Sequence, residues 1–259
     1  MSIAALPYVN WIFWTALGGG SLLVVGLTER LGGTTRGYRL FMAGFAAACA
    51  LILLVSELNL PGDVPAASTA ELRRTLVVAF GAGSLLYLVA SVARWPRSGL
   101  AIGSGFAAMA ALMVLAAAGG SASAGLFAGQ LLLVGLVLGA VNAAMLLGHW
   151  YLVTPRLSPV PLRRMMWLLL GGLAVQAFLF GVAVLTVPGD ALGSSMGWIA
   201  WLRLTAGTLL PIVVTVLALL ATRAASLQAS TGLLYIGLAL IMAGSIAGAS
   251  ITYLTGVPV

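Results

Sequence analysis

Asn142, His149, Gln176, Tyr87 and Arg203 are polar side chains set within long apolar stretches, where each can hydrogen-bond, move a proton or hold a charge. Gly135, Gly139, Asn142, Leu146 and His149 follow one another at steps of 4, 3, 4 and 3, which lines them along one helical face. That face carries small residues at one end, an amide in the middle and the chain's one histidine at the other. An imidazole there can hydrogen-bond a quinone, relay a proton or ligate haem. Haem is disfavoured, because one histidine cannot supply bis-histidine ligation and the nine methionines show no matching signature. At about 1.5 Å per residue, Asn142 and Gln176 lie at matching depths, roughly 16–20 Å from the tight end of a helical hairpin. Tyr87 is expected at a similar level. The expectation is a polar layer in which Asn142 faces Gln176 and His149 points inward, able to line a quinone pocket. The plainer alternative is interhelical hydrogen bonding for the amides and a boundary position for His149.

Arg203 stands about five residues into another apolar stretch, with Gly207 one turn on and Pro211 a turn beyond. Charges inside membrane spans are functional suspects, although an arginine this near a boundary can also snorkel. Pro211 has no N–H to offer the Gly207 carbonyl, so a kink is expected there. Glu57, ending a different stretch, is the expected counter-charge. Arg203 and Glu57 thus make a second candidate site, for an anion, a substrate or a quinone carbonyl.

The elements that must position these groups are helices in a membrane. The chain is 62% hydrophobic and 7% charged, and its apolar residues come in runs of about 20, enough to cross roughly 30 Å of hydrocarbon. Backbone groups in lipid must be paired internally, so such runs are helices. The 10-residue alternating segments of a transmembrane barrel are absent. Eight spans are marked at about 9–28, 38–58, 75–93, 99–119, 127–153, 162–187, 198–221 and 230–255, forming one transmembrane domain over residues 1–259. The fold class is an all-α integral membrane bundle.

Arginine placement orients it. Arg30, Arg36, Arg39, Arg94, Arg97, Arg156, Arg163, Arg164 and Arg223 fall in or beside alternate connections, while Arg73 and Arg74 take the other side. Basic residues in short loops mark the cytoplasmic face, which puts both termini outside. The tryptophans fall near predicted boundaries, Trp11, Trp14, Trp198 and Trp201 outside and Trp95, Trp150 and Trp167 inside, as indole belts do. Arginine without lysine, amid abundant Ala, Gly, Leu and Val, points to a GC-rich bacterial genome and hence to a bacterial cytoplasmic (inner) membrane. The amino terminus lacks the basic region and cleavage site of a signal peptide.

AGSLLYLV at 82–89 and AGTLLPIV at 206–213 fall in the third and seventh spans, which run the same way, as a parallel four-plus-four repeat requires. Gly135-x-x-x-Gly139, Gly244-x-x-x-Gly248 and the Gly18–Gly20 run allow close helix approach, within the chain or in a homo-oligomer.

Several functions are excluded. With no lysine there is no retinal Schiff base. The acids Glu29, Glu57, Asp63, Glu71 and Asp190 all lie at span ends or in loops, which argues against a carboxylate ion pathway. One histidine and the lone Cys49 cannot build a metal centre or a serine-type triad. The positive charge follows from topology, so no nucleic-acid partner is implied; the partners are lipid and other subunits of a membrane complex. The short connections leave no room for a catalytic domain, and the chain is not expected to be an enzyme on its own. The eight spans and glycine-rich first span resemble the quinol-interacting membrane anchors of bacterial molybdenum and iron–sulfur oxidoreductases. The leading expectation is accordingly a membrane subunit of a quinone-linked electron-transfer complex. A small-solute or anion transporter or channel, and a scaffold or assembly protein, are the alternatives.

Overall fold

Each apolar run closes its backbone hydrogen bonds on itself as a helix, and a computed structural model describes residues 6–32, 34–60, 69–118, 124–154, 157–186 and 197–255. The eight helices are α1 (Leu6–Arg30), α2 (Arg36–Leu58), α3 (Ala70–Ala93), α4 (Ser98–Ala118), α5 (Ala124–Val153), α6 (Val160–Thr186), α7 (Gly197–Arg223) and α8 (Leu227–Thr255). All eight are long and apolar enough to cross a membrane, and no strand occurs among the described residues. This is the architecture of a multi-pass membrane protein.

Two helices form the interior. The apolar windows of α1 and α5 are 83% and 78% buried, against 33–44% for the other six, which therefore face outward. Helix α1 packs on α2, α4 and α5, and α3 bridges α2 and α4. Helix α5 packs on α6 and α8, and α7 bridges α6 and α8. The two central helices meet through glycine. A Cβ on Gly139 would fall on the backbone of Gly20, and one on Gly20 would fall on the Gly135 carbonyl. Only glycine lets the backbones approach this closely, so the GxxxG pair of α5 packs α1 inside the chain. The second such pair splits its work, because Gly244 meets Gly207 of α7 whereas Gly248 meets the side chain of Arg203.

Helix α7 changes pitch where the proline was expected to kink it. Residues Thr205–Leu209 form a π turn, closed by the Leu210 N–H on the Thr205 carbonyl. The widened turn absorbs the hydrogen bond Pro211 cannot make, and the helix continues. The charged connections are tight: Thr35 caps α2 by accepting from the Tyr38 N–H, and α3 ends through the left-handed residue Arg94 (φ 62°).

Candidate functional site

At the arginine-rich end, Glu29 closes α1 beneath three other elements. Its carboxylate lies 2.7 Å from the Arg97 Nε and 3.5 Å from the Arg39 Nε. Tyr87 donates its hydroxyl to the same carboxylate at 3.3 Å. Tyr87 therefore belongs to this ionic clamp between α1, α2, α3 and the start of α4, and not to a mid-membrane layer. The depth estimate failed because Tyr87 stands only two turns from the charged end of α3.

Asn142 does not turn to Gln176 either. Its amide donates to the Ser21 hydroxyl of α1 at 2.9 Å, beside the Gly20–Gly139 crossing. One position further on, the Tyr38 hydroxyl donates to the Ala143 carbonyl at 2.9 Å and ties α2 to the same seam. These bonds join packed helices. His149 points away from them: its ring is exposed, with Nδ1 3.3 Å from the Tyr235 hydroxyl of α8 and the two rings edge to face. The inward expectation fails because Gly148 occupies the inward position, pressed on Thr231.

Glu57 has a partner, though not Arg203. Arg73 of α3 reaches it through Nη2 at 3.0 Å and through Nε at 3.1 and 3.2 Å, and both residues are buried. The indole of Trp11 donates to the second carboxylate oxygen at 2.7 Å, and the Arg73 guanidinium lies 5.9 Å from the Trp11 ring centroid. Trp11 is thus an interior residue, unlike the exposed Trp95, Trp167, Trp198 and Trp201. The sequence held a usable signal: α2 and α3 are consecutive, so residues 57 and 73 flank one connection.

Arg203 and Gln176 come together instead, in the half of the bundle built on α5. Both line a small cavity with Gly207, Thr208, Gly244 and Ser245. Arg203 also lines a second cavity, with Gln130, Ser245 and Gly248. Each is about 10 Å³, room for one water-sized particle. Arg203 is 9% exposed, and no carboxylate pairs with it among the described residues. Its guanidinium crosses Gly248, where any side chain would collide with it. Gln130, Thr208 and Ser245 were missed in the sequence. The spacing of Gln130 from the Gly135–Gly139 pair, and Ser245 lying within the Gly244–Gly248 pair, were the available signals.

Beside this cluster the surface between α6 and α7 is hollowed into an open apolar groove of about 450 Å³. Ala177, Phe180, Val184, Trp201 and Leu204 line it, with Phe180 and Trp201 edge to face at 6.0 Å. Ala177 and Leu204 follow Gln176 and Arg203 in sequence, so the groove lies on an adjacent face of the same two helices, and its own lining is wholly apolar apart from the Trp201 indole. Amide and hydroxyl groups, a guanidinium and an aromatic-walled groove can together bind an amphiphile. No protein-family profile, curated protein or solved structure matches this chain.

Proposed function

We propose that this protein is a membrane-embedded subunit of a quinone-linked electron-transfer complex, with its quinone site in the α5–α8 half rather than along the His149 seam. The groove between α6 and α7 carries the proposal. Its volume lies within the range of small-molecule sites, and such sites pair apolar walls with a few placed polar groups. An isoprenoid tail suits the Phe180–Trp201 wall, and a ring carbonyl suits the neighbouring Gln176 amide. The test is extraction of the purified protein with organic solvent and chromatography of the extract. Gln176→Leu and Trp201→Ala should each lower bound quinone several-fold. Quinone at the wild-type level in both variants would refute the site.

The anion-transporter alternative rests on Arg203, a buried guanidinium whose helical neighbours α5, α6 and α8 contain no acid. The scaffold alternative rests on Asn142, Tyr38 and Tyr87, whose hydrogen bonds join helices. We place the protein in a bacterial cytoplasmic membrane with the arginine-rich end inside.

We further propose a parallel four-plus-four repeat, with α1 equivalent to α5. Matching neighbours support it: in each half the first helix is central, and the third bridges the second and fourth. A hydroxyl pair joins third to fourth helix in each, Ser84 to Ser104 at 3.2 Å and Thr222 to Ser230 at 2.8 Å. A left-handed non-glycine residue follows each third helix, Arg94 directly after α3 and Ala225 one residue later, after the Ala224 cap of α7. That register differs from the AGSLLYLV–AGTLLPIV match. Counted from the last residue of each third helix instead, Arg73 (20 before Ala93) and Arg203 (20 before Arg223) fall at matching positions.

A further inference from the structure

Arg73 and Arg203 occupy corresponding places near the arginine-poor ends of α3 and α7, yet their surroundings differ in one respect. Arg73 has the Glu57 carboxylate at 3.0 Å, with the Trp11 N–H on the same group. The helices α5–α8 contain no aspartate or glutamate. A guanidinium stays protonated in proteins, and a buried charge needs a counter-charge. The second half's acid, Asp190, is in the connection before α7 and lies outside the described residues.

We propose that Arg203 binds a monovalent anion of halide size in the cavities flanking its guanidinium, taking from solution the negative charge that Glu57 supplies to Arg73. Three observations carry this. Arg203 is nine-tenths buried and lines both cavities. The other polar side chains at those cavities are neutral: the amides of Gln130 and Gln176 and the hydroxyls of Thr208 and Ser245, the last already donating to the Ile241 carbonyl at 2.7 Å, so the guanidinium is the one formal charge there. At about 10 Å³ each, the cavities admit a particle the size of a water molecule and are too small for a phosphate headgroup. Chloride is the common monovalent anion nearest to that size, and a small displacement of the flexible Arg203 side chain admits it. The Arg203 cavities are distinct from the groove between α6 and α7, with Gln176 proposed to serve both, and the anion site does not depend on a quinone entering that groove.

The experiment is equilibrium binding of radioactive chloride to the full chain in a neutral detergent, read by scintillation proximity. Wild type should show one saturable site, displaced by bromide and not by sulfate. Arg203→Gln should weaken binding at least tenfold. Gln176→Leu keeps the charge, offers a second variant should Arg203→Gln not fold, and should weaken binding several-fold. His149→Phe, at the arginine-rich end of α5 and outside both cavities, should leave the affinity unchanged. No saturable binding in folded wild type would overturn the proposal. So would binding that emerges only in Asp190→Asn, which would assign the counter-charge to Asp190, and so would Arg203-dependent retention of an anionic lipid in native mass spectrometry. Loss of chloride binding with bound quinone retained in Arg203→Gln separates this site from the quinone site, since Gln176→Leu is expected to lower both.

Discussion

Trp11 donates its indole N–H to Glu57 at 2.7 Å while Arg73 grips the same carboxylate from α3, so three helices are fastened by one buried acid. Removing one partner of such a pair leaves an uncompensated buried charge, at a cost of about 3–5 kcal/mol. Glu57→Gln should therefore lower the thermal midpoint of the detergent-purified protein sharply. The double variant Glu57→Leu with Arg73→Met should be more stable than the sum of its single changes implies. Simple additivity in that cycle would show that the two side chains are not coupled.

Glycine at the α1–α5 crossing is a steric requirement. A methyl group on Gly139 would overlap the Gly20 backbone, whereas one on Gly171 meets nothing within 4 Å. Gly139→Ala should destabilise the bundle or prevent its assembly. Gly171→Ala should hold or slightly raise stability, since alanine is favoured over glycine in a helix by about 0.5–1 kcal/mol. Equal midpoints for the two variants would contradict the crossing.

The helices were legible because apolar run length translates directly into span length, and all eight expected spans overlap observed helices. Pairing was less legible. Depth along a helix follows from counting residues, but direction around it depends on which neighbour is adjacent, and periodicity does not name the neighbour. Asn142 finds its partner in Ser21 of α1 and not in Gln176, because α1 runs through the centre of the bundle, which counting along α5 does not reveal. Glu57 was sought by the more distant Arg203, although Arg73 flanks the same connection. Gln176 and Arg203 were assigned to separate sites and share one cavity, because α6 and α7 lie side by side.

His149 should prove dispensable for the fold and for bound quinone. Its contacts are the exposed Tyr235 ring and hydroxyl at the α5–α8 edge, away from the groove between α6 and α7. His149→Phe and Tyr235→Phe should each leave solvent-extractable quinone and thermal midpoint unchanged. A selective loss of quinone in His149→Phe would return the site to that end of α5.

Orientation is tested by cysteine labelling in a Cys49→Ala background, where the native buried thiol is removed. Asn59, just past α2 at the arginine-poor end, and Ser226, in the exposed turn between α7 and α8, mark opposite faces. In intact cells an impermeant thiol reagent should label Asn59→Cys and spare Ser226→Cys. The reverse pattern would invert the topology.

Gly248 controls where the Arg203 guanidinium lies. A Cβ at this position would overlap Arg203 at Nη1 and sit 2.7 Å from Cζ, so Gly248→Ala must displace the side chain although it changes no charge. Gly244 is a different case, because its close neighbour is the Gly207 backbone and any side chain there would separate α7 from α8. Gly248→Ala should keep a folded, monodisperse protein, since an arginine side chain can rotate where a backbone cannot. Gly244→Ala should lose thermal stability. Chloride affinity should fall in Gly248→Ala, because both cavities are shaped by the displaced guanidinium. Unaltered affinity in a folded Gly248→Ala protein would show that the guanidinium's position over α8 is not what forms the anion site.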